Sequence, residues 1–107
     1  MSINFFPGSQ ESGRTPRLGT TARAVGQLTD DSGNPIQNAS GLFTLWRGGV
    51  MVIENVTMSP DSARGKGWCS VLVSDTIFNA RGSYRWQMRL ISPDTTLVAT
   101  IDGEFTL

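Results

Sequence analysis

The sequence contains no histidine, a single cysteine (Cys69) and a single lysine (Lys66). Without histidine, no serine or cysteine can form the nucleophile and base pair that common hydrolases use. One cysteine excludes an internal disulfide, and no Cys/His cluster has the spacing of a zinc site. We therefore expect neither catalysis nor a bound cofactor or metal ion.

The sequence also lacks an excess of positive or negative charge and any long apolar segment. The 9 basic and 9 acidic residues give a net charge of zero, which predicts no nucleic-acid partner and no acidic membrane partner. No segment approaches the ~20 apolar residues of a membrane span. Residues 1–7 have neither the basic region nor the apolar run of a signal peptide. These features predict a protein made in a cytoplasm and used in solution or within an assembly.

No segment has the apolar spacing of an amphipathic helix, whereas alternation with a period of two residues is widespread. The chain holds 12 glycines together with many serines and threonines, and turn-forming clusters separate its apolar segments. Short strands joined by turns every ~8–12 residues are typical of an antiparallel β-sandwich. The sequence therefore predicts an all-β fold of about seven strands.

The C-terminal part of the chain has the clearest alternation. From Thr95 to Leu107 the odd positions are apolar or small, and upstream Tyr84, Trp86 and Met88 alternate with polar residues. Proline and aspartate in the segment 92–95 predict a turn between the two strands. The predicted register pairs Leu90 with Leu97, Met88 with Ala99, Trp86 with Ile101 and Tyr84 with Gly103. Gly103 then either forms a bulge or leaves room for the tyrosine ring.

Gly48-Gly49 separates two further strand-like segments, 41–47 and 50–57, and predicts a two-residue hairpin turn. Other strands are predicted at 20–28 and 67–73, and a short turn at 74–80 is expected to bury Phe78. The predicted core consists of large apolar side chains on the strands and in this turn: Leu28, Leu42, Trp46, Ile53, Val56, Trp68, Leu72, Phe78, Tyr84, Trp86, Met88, Leu97, Ile101 and Phe105.

Residues 1–19 show neither the apolar spacing of a helix nor the alternation of a strand. They are predicted to form an extended N-terminal arm, with the sandwich spanning 20–107. The apolar arm residues need cover, on the domain's own sheet or on a neighbouring subunit. Because proline, glycine and polar residues follow the apolar tip, we favour docking on another chain, with the arm as a tether between subunits. The predicted interface residues are Ile3, Phe5, Phe6, Arg14 and Arg17.

Several acidic and glycine-rich segments could suggest chemistry, but their spacing argues against it. Asp30 and Asp31 begin a turn without the ligand spacing of a calcium loop. Asp102 and Glu104 lie two residues apart on one strand face, whereas a glycosidase needs carboxylates that face each other across a cleft. The segment 64–67 is too short for a phosphate-binding loop.

Three tryptophans raise the possibility of a carbohydrate-binding module, because indole faces stack on flat partners. Each tryptophan is in phase with apolar neighbours on its strand, which favours a place in the core for Trp46, Trp68 and Trp86. One of them at a sheet edge could instead anchor a ligand or a partner.

The order of turns resembles a known family of phage proteins. Asp31-Ser32-Gly33-Asn34-Pro35-Ile36 precedes a strand, Gly67 opens another, Gly82-Ser83-Tyr84 opens the penultimate strand, and the last contains Gly103-Glu104-Phe105. This layout is similar to the immunoglobulin-like N-terminal domain of phage baseplate upper proteins and, more loosely, to Ig-like modules on phage capsids and tails. The resemblance covers roughly residues 20–107 and implies an Ig-like sandwich.

The chain departs from an antibody domain at two positions. Trp86 stands where such a domain has a cysteine, and Ala80 stands where the tyrosine-corner pattern has aspartate. The hydrogen bond of the tyrosine corner is therefore not assumed for this chain. The resemblance implies a non-enzymatic structural component of a phage particle, in the baseplate, tail or capsid decoration, with other virion proteins as partners. It would be made in the host cytoplasm and located in the virion; a carbohydrate-binding module is the alternative.

Overall fold

The computed structural model describes residues 2–5, 18–19 and 21–107, and these residues form an all-β structure without helices. The seven strands are β1 (Ser2–Phe5), β2 (Thr21–Gln27), β3 (Ser40–Arg47), β4 (Val50–Pro60), β5 (Trp68–Val73), β6 (Ser83–Ile91) and β7 (Val98–Thr106). The predicted all-β class is confirmed.

The strands form one curled sheet in the order β1-β2-β5-β4-β3-β6-β7. Strands β2 to β7 pair with antiparallel neighbours, and β1 runs parallel to β2. The curl brings β2 against β6: a Cβ atom added at Gly26 would lie 3.2 Å from Leu90 Cδ1 and 3.2 Å from Met88 Sδ. The concave face of the sheet therefore closes on itself and encloses the core.

Strand β4 changes its pairing partner along its length. It pairs with β3 from Val50 to Met58, but with β5 only through Ser59 and Pro60, opposite Ser70 and Cys69. This long strand thus joins one group of strands (β4, β3, β6, β7) to the other (β1, β2, β5).

Strand β6 has the strict alternation predicted for it. Tyr84, Trp86, Met88 and Leu90 are buried, whereas the residues between them are exposed. The buried row packs in the concave face because side chains at every second position of a strand share one face.

The pairing of β6 with β7 differs from the predicted register by two residues. Leu90 pairs with Ala99, Met88 with Ile101, Trp86 with Gly103 and Tyr84 with Phe105. The connection is longer than predicted, since the Ser92 amide donates to the Leu97 carbonyl and Ile91 pairs with Val98. A shift of two residues keeps every side chain on its face, so the alternation could not exclude it. Gly103 accommodates the Trp86 ring rather than the Tyr84 ring.

The turn at Gly48-Gly49 is confirmed. Both glycines have positive φ, 57° and 84°, as the favoured two-residue hairpin turn requires. The segment 75–78 also forms the predicted turn, and Phe78 is fully buried.

The predicted core is confirmed at Leu28, Phe78, Tyr84, Trp86 and Met88. Five further predicted residues are half-buried and pack against this core: Ile53, Trp68, Leu97, Ile101 and Phe105. Leu42 and Trp46 are half-buried outside it, and Val56 and Leu72 are exposed. Strands β3 and β5 are apolar on both faces, so the pattern does not say which face is inside. The inner face carries Phe43 and Leu45 on β3 and Cys69 and Val73 on β5.

The N-terminal segment also differs from the expectation. The backbone of Ser2–Phe5 pairs with Thr21–Ala24 of the same chain, although its sequence context was expected to keep it out of this ladder. Strand β2 has an edge that β5 leaves open, and its unpaired amides and carbonyls can pair with an extended segment. The boundary between an arm at 1–19 and a domain at 20–107 stays a prediction.

Candidate protein-binding surface

A groove lies where β4 and β5 separate on the convex face of the sheet. The register that pairs Ser59 with Ser70 would continue through Met58 with Val71 to Thr57 with Leu72, but the two strands do not pair there. An open cavity of about 650 Å³ occupies this place. We call it the β4–β5 groove; its lining includes Arg23, Thr57, Ser59, Asp61, Ser70 and Leu72.

A chain of polar contacts holds one side of the β4–β5 groove. Arg23 Nη1 donates to Ser70 Oγ at 3.3 Å, and Ser70 Oγ donates to Asp61 Oδ2 at 2.9 Å. Arg64 Nε donates to the same carboxylate oxygen at 3.2 Å. Asp61 thus accepts two hydrogen bonds on one oxygen, and the Arg23 guanidinium is held through the serine hydroxyl.

Arg23 contributes positive charge to the β4–β5 groove. Among residues 2–5, 18–19 and 21–107, its guanidinium forms a hydrogen bond to Ser70 and no ion pair. It projects from β2 at the position paired with Leu72, so it lies beside an exposed apolar side chain. The groove therefore combines a fixed cation with apolar surface.

Exposed apolar side chains concentrate along β4. Val50 is 66% exposed, Met51 45% and Val56 41%, and Leu72 across the β4–β5 groove is 51% exposed. In the part of the chain that the structure describes, the edge of β4 that faces away from β3 has no strand partner between Val50 and Met58. Open edges with apolar side chains are where other chains add strands.

A β-bulge interrupts this edge. Asn55 has a positive φ of 46°, its amide donates to Thr44 Oγ1 at 3.1 Å, and the Thr44 hydroxyl donates to Asn55 Oδ1 at 3.2 Å. The register of β3 with β4 shifts at this point. Because a bulge bends its strand, this one redirects β4 near the place where it leaves β5.

A second cavity, of about 640 Å³, lies at the end of the sheet that carries the Gly48-Gly49 turn. Trp46, Arg85 and Glu104 form a row across β3, β6 and β7 on the convex face. The Arg85 guanidinium carbon lies 4.3 Å from the centroid of the Trp46 ring. The indole is half-buried, and a cation already covers part of its face.

Tyr84 makes a hydrogen bond that the sequence alone did not support. Its hydroxyl donates to the Ala80 carbonyl, four residues earlier, at 2.6 Å. The ring also stacks on Phe105, with centroids 5.1 Å apart. A backbone carbonyl accepts the bond, so the contact does not require aspartate at position 80.

The two turn carboxylates with lowered pKa values are structural. Backbone amides, foremost that of Asn34, hold the pKa of Asp30 below its ordinary value, and the Asn34 and Ser32 amides both donate to Oδ1 at 2.9 Å. Hydrogen bonds from the hydroxyls of Ser92 and Thr96 lower the pKa of Asp94 to about 2. Each carboxylate organises its own turn, as expected for aspartate in such positions.

The single cysteine lies in the core. Burial, with a smaller effect from Asp61, raises the pKa of the Cys69 thiol to about 12. The thiol donates a weak hydrogen bond to the Gly26 carbonyl at 3.7 Å. A buried, protonated thiol of this kind is a poor nucleophile.

The described residues contain no group of three or more potential metal ligands. None of the described elements is a helix that could span a membrane.

The predicted interface residues have different placements. Ile3 and Phe5 belong to β1, whose backbone pairs with β2. Phe6, Arg14 and Arg17 lie outside the described residues. The role of this set at an interface therefore stays a prediction.

Sequence reasoning missed the β4–β5 groove. Arg23, Asp61 and Ser70 lie far apart along the chain and form no motif. Their meeting depends on the pairing of β2 with β5, which joins positions more than forty residues apart, such as Arg23 and Leu72. No local pattern reports such a pairing.

Comparison with protein-family models, with curated proteins and with solved structures finds no match for this chain.

Proposed function

We propose that this chain is a non-enzymatic, immunoglobulin-like β-sandwich module that acts as a structural and assembly component of a phage particle. The observation that carries the proposal is the open edge of β4, with three exposed apolar side chains and an adjoining groove. An isolated soluble domain rarely leaves such an edge without protection. A protein partner that covers this edge would prevent unwanted pairing with other chains.

The Ig-like assignment has support from two features of the fold. Residues of β2 and β5 share one core with residues of β3, β4 and β6, as the inner faces of a sandwich would. The Tyr84 hydroxyl bonds to a carbonyl four residues upstream, near the start of the penultimate strand, as in the tyrosine corner of Ig domains. Trp86 fills the core at the position of the missing cysteine.

The experiment is mass spectrometry of phage particles purified from the strain that encodes the chain. We expect the protein at a fixed stoichiometry with the other virion proteins, retained through gradient purification. Its absence from intact particles would overturn the proposal. A version lacking residues 2–18 tests the N-terminal arm: a tether predicts loss from particles even though the truncated protein remains folded by circular dichroism.

A carbohydrate-binding module is the second candidate, and the Trp46 cavity favours it. The half-buried indole lies beside Arg85, Glu104 and the turn backbone, an arrangement of an aromatic wall with polar groups that suits a sugar ring. Titration with a glycan panel should quench tryptophan fluorescence if this site binds sugar. The same titration of Trp46→Leu is the control, since Trp68 and Trp86 remain.

A further inference from the structure

We propose that the β4–β5 groove binds an extended segment of a partner protein, which adds as a strand to the free edge of β4 and places one carboxylate against Arg23. This rests on the proposed function in one respect, namely that the partner is a protein. It adds the place of attachment and the chemistry of the partner.

The backbone of the groove is suited to strand addition. Strands β4 and β5 pair at Ser59 and Pro60 and then separate. Within the described part of the chain, an incoming strand would therefore meet one unpaired edge on each side. Main-chain hydrogen bonds to an exposed edge supply affinity in this mode of recognition, and the side chains at alternate positions supply specificity. The cavity at the separation is open to solvent.

The side chains of the groove set what the segment must carry. Leu72, which is exposed, contributes apolar surface on the β5 side. Thr57 and Ser59 offer hydroxyl groups on β4. An incoming segment with apolar or β-branched residues at alternate positions would cover the exposed leucine.

Arg23 sets the charge of the segment. Its guanidinium lines the groove and is oriented by the Ser70 hydroxyl, which in turn donates to Asp61. Because one Arg23 donor is engaged and no described carboxylate pairs with it, the remaining donors suit a carboxylate from the partner. Asp61 lies on the same side and would repel a second carboxylate placed nearer to it, which fixes the position of the acidic residue.

The test uses the 15N-labelled full chain and two capped synthetic peptides of alternating valine and threonine. One peptide has a central aspartate, and its twin has lysine at that position. We expect the aspartate peptide to cause saturable amide shifts at residues 56–60 and 70–73, and the twin to bind about tenfold more weakly. Equal affinities, no saturable shifts with the aspartate peptide, or shifts confined to the edge of β7 would each overturn the proposal.

The charge assignment is tested by substitution. Arg23→Gln should abolish the preference for the aspartate peptide, whereas Arg23→Lys should retain it in part. Arg89→Gln, an exposed arginine on the convex face of β6, is the matched control and should leave both affinities unchanged. An unchanged preference in a folded Arg23→Gln protein would show that another group selects the charge.

The two proposals can fail separately. Peptide binding that depends on Arg23, in a chain absent from purified particles, would support the groove and remove the phage assignment. A chain that is present in particles but binds neither peptide would support the phage assignment and overturn the binding role of the groove.

Discussion

The Trp86 indole occupies the space that a side chain at Gly103 would need. The two residues are paired across β6 and β7, and a Cβ atom added at position 103 would lie 2.7 Å from Trp86 Cε2 and 2.8 Å from Nε1. Gly103 has no positive φ, so the absence of a side chain, rather than the backbone conformation, is what this position requires. The largest side chain of the core therefore depends on the smallest residue of the neighbouring strand.

Gly103→Ala should destabilise the protein by about 1–3 kcal/mol, because the indole must move within a packed core. Urea denaturation followed by tryptophan fluorescence measures the change. Thr100→Ala, on the exposed face of the same strand, is the control and should have a small effect.

A double-mutant cycle tests the cause. Trp86→Leu should lower the free energy of unfolding by less in the Gly103→Ala background than in the wild type, since a smaller side chain leaves room for the new methyl group. Additive effects of the two substitutions would contradict a direct clash.

Tyr84→Phe should lower the free energy of unfolding by about 1 kcal/mol, because it removes the hydrogen bond to the Ala80 carbonyl and leaves that carbonyl without the phenol donor. The ring and its stacking on Phe105 remain. Urea denaturation at neutral pH measures the loss. An unchanged stability would show that water replaces the phenol at no cost.

Asp94 should make stability depend on pH in the acid range. Its pKa falls from 3.8 to about 2 on folding, so its contribution is present above pH 4 and is lost as the pH falls through 2. The melting temperature of the wild type should exceed that of Asp94→Asn above pH 4, and the two should converge towards pH 2. Thr96→Val removes one hydroxyl donor to the carboxylate and should reduce the difference; a difference that does not vary with pH would contradict this account.

Cys69 should resist alkylation in the folded protein. A buried thiol with its pKa raised to about 12 has almost no thiolate at pH 8. Mass spectrometry after iodoacetamide treatment should show slow modification in buffer and rapid modification in urea. Rapid modification of the native protein would indicate that β2 and β5 open readily.

The sequence predicted the features that local chemistry determines. The turns at Gly48-Gly49 and around Phe78 and the alternation of β6 follow from residues that are close along the chain. The predicted register of β6 with β7 was wrong by two residues. A shift of two residues keeps each side chain on the same face of the sheet, so the alternation does not determine the register. The length of the connecting loop determines it. Turn chemistry at Asp94 did not reveal how long the connection is.

Other features depend on contacts that no short pattern contains. Strands β3 and β5 carry apolar residues on both faces, so their inner faces were assigned wrongly at Leu42 and Leu72. The β4–β5 groove arises where one strand leaves its neighbour, and its polar side comes from β2, β5 and the loop after β4. Such a site can be recognised only after the strand order is known.

The pairing of β2 with β5 has a consequence for the order of folding during synthesis. Thr21–Gln27 leaves the ribosome before its antiparallel partners, which lie between Trp68 and Val73. The hairpin of β3 and β4 can form from local contacts while β2 has no partner other than β1, because pairings of long sequence separation form slowly. Until β5 is synthesised, the edge of β2 that faces away from β1 is exposed, and in this interval the nascent chain is most open to pairing with another copy of itself.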